Sequence, residues 1–506
     1  MISATVPVPP RAGRREWLGL AVLALPCLVY AMDLSVLNLA LPAISADLHP
    51  TSAQLLWIVD VYGFVVAGGL ITMGALGDRI GARRLLLIGA TAFAVASLLA
   101  AFATTPAMLI AARALLGLAG ATIAPSTLSL ISALFADARQ RTVAIGVWVT
   151  SYSVGAAVGP LAGGALLEFA WWGSVFLLAV PVMVLLLLVG PRLLPAGARG
   201  AGGRLDLRSA GLSLAAVLAA IYGLKQIAIG QGGLAPVLWI AAGLVLGRLF
   251  VRRQGRVDHP LIDLRLFRAP AYSAALGMNL AGFFVIFGMS LFLGQYLQSV
   301  VGLTPLTAGL WSVPEALGFI AGSMAAPRLL APLSAAALVA AGMAVGALGY
   351  ALVATADGTL APVVVGSTIG AVGLAVVVTL VTDLAVGAAP PAHAGAAAAT
   401  SETSSELGGA LGIAVIGSIG AAVYRSGIPA GAPDAARETV GGAVGAGPGA
   451  DGLAATARDA FTHALSVTAS VGAAILLVAA VIALVLLRRA GHHATKPAVA
   501  APVTTC

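Results

Sequence analysis

The sequence predicts an all-α protein that crosses a membrane many times, and three observations support this prediction. Of its 506 residues, 60% are hydrophobic and only 9% are charged, and the mean hydropathy is +1.03. A soluble protein of this length has roughly a quarter of its residues charged, so this chain could not cover a water-facing surface. Its apolar residues also recur in stretches of about twenty, the length that a helix needs to cross the hydrocarbon layer.

The apolar stretches predict fourteen spans. They lie at residues 17–41, 54–75, 85–103, 108–134, 143–167, 171–190, 207–229, 234–251, 271–298, 306–329, 333–355, 360–388, 396–424 and 461–487.

Arginines concentrate in every second loop between these stretches, as at Arg83 and Arg84 and again at Arg252 and Arg253. Because basic residues favour the cytoplasmic side, the number of spans is predicted to be even, with both termini cytoplasmic and the loop at about 425–460 outside. The net charge of +8 therefore reflects membrane topology, and we expect no nucleic-acid partner.

The segment GALGDRIGARRLL, which begins at Gly74, closes the second predicted span and opens the third. It resembles the signature loop of the major facilitator superfamily. Its glycines allow a close helix approach and a tight turn, its acid can accept hydrogen bonds from a helix N-terminus, and its arginines hold the loop at the inner face. We therefore expect a conformational gate made of Gly74, Asp78, Arg79, Gly81, Arg83 and Arg84.

A second segment, GAAVGPLAGG, lies in the fifth predicted span and resembles the element typical of exporters in this superfamily. Its small residues permit a tight helix crossing, and its proline supplies a kink. The residues of this antiporter motif are Gly155, Gly159, Pro160, Gly163 and Gly164.

Further segments narrow the resemblance to the fourteen-span drug:proton antiporters, and among these to bacterial pumps that expel quaternary ammonium compounds and dyes. They are MDLSVLNLALP from Met32, WIVDVYGFVVAG from Trp57 and SETSSELGGALGIA from Ser401. The resemblance implies the plasma (inner) membrane of a bacterium and the major facilitator fold, with two six-helix bundles and two inserted helices. Residues 1–190 and 257–506 would form the bundles. Residues 191–256 would form the linker and the inserted pair, which we expect to pack beside the bundles without a part in coupling.

Several acidic residues fall inside predicted spans, where an ionised side chain is expensive unless it faces a cavity or a partner. Glu402 and Glu406 are four residues apart and therefore share one helix face. Burial favours the neutral form of a carboxyl group, which can then bind and release a proton near neutral pH, and the ionised form can pair with a cation instead. The candidates for proton coupling or contact with a substrate cation are Asp33, Asp60, Glu315, Glu402 and Glu406.

Each of these acids also has a structural interpretation. Asp33 could form an ion pair with Arg113 as its charge partner, and Asp60 could lie at a wetted mouth. The two glutamates of the thirteenth span could simply hydrogen-bond to neighbouring serines and threonines. The resemblance links an acid near Glu315 to recognition of divalent cations, whereas Asp383, near a helix end, is expected to be structural.

Aromatic side chains could line a cavity by cation–π contact, although most aromatics in a helix bundle serve packing. The candidates are Trp57, Tyr62, Trp148 and Tyr152.

Other classes of function lack their characteristic residues in this sequence. No segment has the Gly-Lys-Ser/Thr ending of a phosphate-binding loop, and the six histidines show no metal-ligand spacing inside a span. We therefore expect no enzyme activity, no cofactor and no metal. The expected function is proton-coupled efflux of lipophilic, mainly cationic drugs, with protons, these compounds and the bilayer as partners. A dedicated exporter of one antibiotic or secondary metabolite is the open alternative, and a membrane-embedded enzyme is a remote one.

Overall fold

The computed structural model describes most of the chain, and all regular structure in the described residues is helical. These residues are 12–50, 52–196, 206–228, 233–257, 260–262, 264–330, 333–389, 394–429, 431–433, 436–437, 440, 443 and 451–494.

The helices follow one another with short connections, and α11 continues into a π-helical turn, Tyr296–Val300. In chain order they are α1 (Arg14–Leu48), α2 (Ser52–Ile80), α3 (Ala82–Ala101), α4 (Pro106–Gly120), α5 (Ile123–Leu134), α6 (Ala138–Phe169), α7 (Ser174–Leu177), α8 (Ala179–Leu193), α9 (Leu207–Ala228), α10 (Leu234–Gln254), α11 (Pro270–Gln295), α12 (Pro305–Leu329), α13 (Ala335–Val353), α14 (Ala361–Gly387), α15 (Ala394–Gly427) and α16 (Asp451–Ala494).

Twelve helical segments in the described part of the chain are long and apolar enough to cross a membrane, with α4 and α5 forming one such segment and α7 and α8 another. The apolar stretch of α9, Arg208–Leu224, falls short of this length. Helix α12 has 25 residues, but Pro314 and Glu315 lower its mean hydropathy. With these two helices included, the structure is consistent with the predicted fourteen spans.

Two hydrophobic cores organise the molecule. One gathers α1 to α8 around side chains such as Phe93, Phe135 and Phe176, and the other gathers α11 to α16 around residues such as Tyr272 and Val339. We call these groups of helices the N-terminal and C-terminal halves. Apolar side chains are buried inside each half, and the remaining surfaces of a half contact lipid or the other half.

Glycines set the closest helix contacts within each half. In the N-terminal half, Gly155 of α6 lies against the carbonyl oxygen of Leu28 in α1. In the C-terminal half, Gly412 of α15 lies against the carbonyl oxygen of Phe284 in α11. A side chain at either position would separate the helices, which explains why small residues occupy this part of the antiporter motif. Pro160 and Gly164 also belong to α6, but their packing lies outside what the structure describes.

Helix α9, the first of the inserted pair, lies across the seam between the two halves. Its residues Val217 and Ile221 pack with Phe64 and Ala67 of α2, and Leu407 of α15 joins the same cluster. The first helix of the inserted pair therefore contacts both halves.

A polar network fixes the base of this inserted pair. Asp206 accepts two hydrogen bonds from the Arg253 guanidinium, at 2.8 and 3.0 Å, and caps α9 through Ser209. These hydrogen bonds hold the pKa of Asp206 below its usual range, so the pair is ionised at neutral pH. The Gln254 side chain donates to the hydroxyl of Ser209 and accepts from the amide of Leu261, which ties both helices to the following linker.

We expect Gly412→Ala to lower the thermal stability of the purified protein, because its Cβ would collide with the carbonyl oxygen of Phe284. Overpacking of this kind costs about 1–3 kcal/mol. The matched control is Gly417→Ala in the same helix, where an added Cβ has no neighbour within 4 Å. A thermal unfolding midpoint measured in detergent compares the two variants, and equal midpoints would contradict the packing described for α11 and α15.

Candidate functional site

The signature loop joins the two halves at one end of the bundle. The Asp78 carboxylate, in the last turn of α2, accepts hydrogen bonds of 2.9 Å from the backbone amides of Gly395 and Ala396. These amides belong to the first turn of α15, whose helix dipole favours a negative charge. Gly74, one turn earlier, packs against Gly395 and Ala399 of the same helix. An acid of the N-terminal half therefore caps a helix of the C-terminal half.

The glycine and arginines of this loop have different surroundings. Gly81 connects α2 to α3 with a φ of 95°, a conformation that favours glycine. Arg83 donates to the carbonyl oxygen of Leu194 at 3.0 Å and so holds α3 to the end of α8, whereas Arg84 is exposed. Arg79 lies within electrostatic range of both Asp78 and Asp206, which places the base of the inserted pair close to the signature loop.

A second contact between the halves lies at the same end. The Arg141 guanidinium of α6 donates to Asp383 of α14 at 2.8 Å, and the Thr142 hydroxyl donates to the other carboxylate oxygen at 2.7 Å. The sequence predicts a structural role for Asp383 and does not indicate that Arg141 or Thr142 would be its partners. Both contacts link residues more than 240 positions apart, so spacing along the chain gave no sign of them. Together with Asp78, Asp383 closes this end of the bundle.

Asp33 and Arg113 form an ion pair deep in the N-terminal half. Arg113 Nη1 lies 2.6 Å from Asp33 Oδ2, and the arginine side chain is 1% exposed. Its Nε donates to the carbonyl oxygen of Ile58 at 3.2 Å, and its guanidinium carbon lies 4.6 Å from the centre of the Tyr62 ring. The buried positive charge is therefore balanced by one carboxylate, one carbonyl and one aromatic face.

Glu402 and Glu406 occupy one face of α15, a different face from the residues that contact α11. Ser404 donates to the carbonyl oxygen of Leu276, and Ser405 accepts a hydrogen bond from Asn279, so these serines serve helix packing. Both glutamates are half-buried, and their charges act on the hydroxyl of Tyr30 in α1. Two carboxyl groups from the C-terminal half thus face the N-terminal half across the centre of the molecule.

An aromatic wall faces these glutamates. Tyr30 is its central member, with ring centres 5.8 Å from Tyr62 and 5.7 Å from Tyr152, and Trp148 lies 4.8 Å from Tyr152. Tyr30 and Tyr152 are half-buried, whereas Tyr62 and Trp148 are buried behind them. The structure therefore brings three of the four candidate aromatics together. Tyr30 is not among the predicted cavity aromatics, although it stands one helical turn before Asp33.

Two of the other candidates, Trp57 and Glu315, lie apart from this centre. Trp57 is 47% exposed and packs edge-on against Phe64, near the inserted helix. Glu315 of α12 lies beside Ser367 of α14 and within electrostatic range of Tyr350, inside the C-terminal half. The side chain of Asp60 lies outside the described residues. Among the described residues, no group of histidine, cysteine and acidic side chains could hold a metal ion.

Comparison with known proteins identifies the family, since the sequence profile of the Major Facilitator Superfamily matches residues 23–413. The chain belongs to this superfamily. It is therefore a multi-pass membrane transporter and not an enzyme.

The relatives of this transporter cover most of its length. The multidrug efflux pump LfrA of Mycolicibacterium smegmatis is 40% identical over 496 residues, which is 96% of this chain and 98% of that protein. The methyl viologen resistance protein SmvA of Salmonella typhimurium is 37% identical over 406 residues, 80% of this chain and 82% of that protein. In fold, the chain resembles the human organic anion transporter MFSD10, with a TM-score of 0.62 at 16% identity over 91% of this chain and 99% of that one.

We expect Asp33→Asn to destabilise the protein strongly, because it leaves the buried Arg113 charge without its carboxylate. Breaking a buried ion pair in this way typically costs about 3–5 kcal/mol. The double variant Asp33→Asn/Arg113→Gln should recover part of the loss, since no uncompensated charge remains. Thermal unfolding of the three proteins in detergent tests this expectation. A double variant less stable than Asp33→Asn would show that the pair is not the stabilising contact.

We expect Asp383→Asn to loosen the end of the bundle closed by Asp383 and Asp78. Loss of this partly exposed, charge-assisted contact should cost about 1 kcal/mol, or roughly a fivefold change in the open population. Spin labels at Ala133→Cys and Ala388→Cys, both exposed positions at this end, report the distance between the halves in a Cys27→Ser/Cys506→Ser background. Asp357→Asn, an exposed acid that bonds only within its own turn at Thr359, is the matched control. An unchanged distance distribution in Asp383→Asn would rule out the contact as a clamp.

Proposed function

We propose that this transporter exports lipophilic, mainly cationic compounds from a bacterial cell in exchange for protons. The observation that carries the proposal is the pair Glu402 and Glu406, which is half-buried on one helix face and lies within electrostatic range of Tyr30 in the other half. The names of LfrA and SmvA, a multidrug efflux pump and a methyl viologen resistance protein, support export and this class of compound.

The exchange follows from the repulsion between the two glutamates. They are separated by one helical turn, and the charge of Glu406 acts on Glu402. Two negative charges this close in a poorly hydrated site cannot both persist without a proton or a cation between them. A bound cation therefore displaces the proton, and a proton displaces the cation. This mutual exclusion is the condition for antiport.

The aromatic wall would supply the second recognition element. Tyr30 and Tyr152 lie within electrostatic range of Glu402, and aromatic ring faces attract organic cations as well as flat apolar compounds. Neither contact requires one fixed arrangement of donors and acceptors in the substrate. The combination favours a range of lipophilic cations over one compound with a defined hydrogen-bond pattern.

The Asp78 and Asp383 contacts would control the alternation between a cavity that is open to the cytoplasm and one that is open to the outside. Both join the halves at the end that carries the arginine-rich loops, which we assign to the cytoplasm together with both termini. With these contacts made, the cavity is closed to the cytoplasm, and breaking them lets the halves rock about the central site. In this scheme the Asp33–Arg113 pair stabilises the N-terminal wall, and its carboxylate is the second candidate for proton coupling.

We expect Glu402→Gln and Glu406→Gln each to reduce proton-driven efflux at least tenfold. An uncharged amide can neither exchange a proton nor balance a cation. Efflux of ethidium and of the dication methyl viologen is followed in a strain without its main pumps, before and after the proton gradient is collapsed. The matched control is Glu16→Gln, an isosteric change at the start of α1 and outside the cavity.

The two parts of this proposal fail in different ways. Efflux that continues after the gradient is collapsed would refute antiport. Wild-type efflux in both glutamine variants would refute the glutamates as the exchange site. Protection against one neutral antibiotic, with no transport of ethidium or methyl viologen, would instead favour a dedicated exporter.

A further inference from the structure

An apolar groove runs along the outer surface of the C-terminal half between α11 and α16. Its volume is about 560 Å³. Ala274, Gly277 and Ala281 form its α11 wall, and Ile475, Ile482 and Leu486 stand on the α16 wall. The polar Ser273 at its edge donates its hydroxyl proton to the carbonyl oxygen of Phe267, so it does not make the groove polar.

The groove has the depth of one bilayer leaflet. It extends along α11 from Pro270 to Ala281, about 16 Å for 11 residues at the helical rise of about 1.5 Å. The hydrocarbon core of a membrane is about 30 Å thick, so one leaflet contributes about 15 Å. A groove of this length fits one extended acyl chain that enters from the headgroup region.

The groove opens at the gate end of the molecule. Helix α11 runs parallel to α15, because Leu276 and Phe284 of α11 contact Ser404 and Gly412 in the same order. The first turn of α15 receives Asp78, so Pro270 at the start of α11 lies at this end too. The groove therefore occupies the leaflet that borders the arginine-rich loops.

Exposed arginines stand at this opening. A 3-10 turn, Leu266–Arg268, leads into α11, with the amide of Arg268 bonded to the carbonyl oxygen of Arg265. Side chains three residues apart eclipse one another in such a turn, so both arginines project to the same side. Both are exposed, and Arg268 precedes Pro270, the first groove residue, by two positions.

We propose that this groove is a binding site for an anionic phospholipid, with one acyl chain between α11 and α16 and the headgroup phosphate at Arg268 and Arg265. The apolar walls exclude the headgroup, and the arginines select a negative one. Each arginine near the surface should favour an anionic over a zwitterionic lipid by about fivefold. The groove is separate from the glutamate pair, so this proposal can be tested independently of the transport mechanism.

Native mass spectrometry of the purified full-length protein tests the proposal, with phosphatidylglycerol and phosphatidylcholine of identical acyl chains as probes. We expect one phosphatidylglycerol to be retained several-fold more strongly than phosphatidylcholine. Gly277→Leu should abolish this retention, because its side chain enters the groove where an added Cβ has no neighbour within 4 Å. Arg268→Gln should keep acyl-chain binding and reduce the preference for phosphatidylglycerol about fivefold.

Two control variants separate these effects from general changes. Gly309→Leu adds the same side chain at an open, exposed glycine near the start of α12. Arg328→Gln removes an exposed charge near the end of that helix. Both should bind phosphatidylglycerol as the wild type does. Unchanged retention in Gly277→Leu would overturn the groove as the site, and an unchanged preference in Arg268→Gln would overturn the headgroup assignment. If ethidium displaces the lipid, the groove would instead be a binding site for transported compounds.

Discussion

The cost of placing a charge in hydrocarbon is the constraint on which this structure depends. Each charged side chain described within the bundle has a location that reduces this cost. Arg113 is balanced by Asp33, Asp383 by Arg141, and Asp78 by the amides that begin α15. The half-buried glutamates face the space between the halves. Charges are thus placed beside a partner inside one half or at the contacts between the halves, because lipid-facing surfaces cannot hold them.

Small residues allow these interfaces to form. Without a hydrophobic driving force between helices in lipid, association depends on close contact and on hydrogen bonds between backbones and short side chains. The α11–α15 contact combines both, since Gly408 and Gly412 lie against α11 while Ser404 bonds to its backbone. This packing also explains how α15 can carry two glutamates. The face that holds it in the bundle is distinct from the face that carries Glu402 and Glu406.

The inserted pair adds a connection that a two-bundle transporter would lack. Helix α9 packs on α2 and α15 together, the same two helices that meet through Asp78. Asp206, at its base, lies within electrostatic range of Arg79 in the signature loop. A movement of the signature loop, as proposed above, would therefore change the surroundings of α9.

Sequence by itself determined the membrane class, the approximate positions of the helices, the signature loop and the set of buried acids, because each rests on short-range patterns of hydropathy, charge and helical spacing. Only the tertiary structure decided which of these acids lie together. Asp383 and Arg141 are 242 residues apart, and Tyr30 faces glutamates near residue 400, so no periodicity connects them. It also decided that Glu315 lies away from the central pair and that α9 covers the seam. These arrangements depend on how one half packs against the other, and that packing is a property of surfaces assembled from many helices.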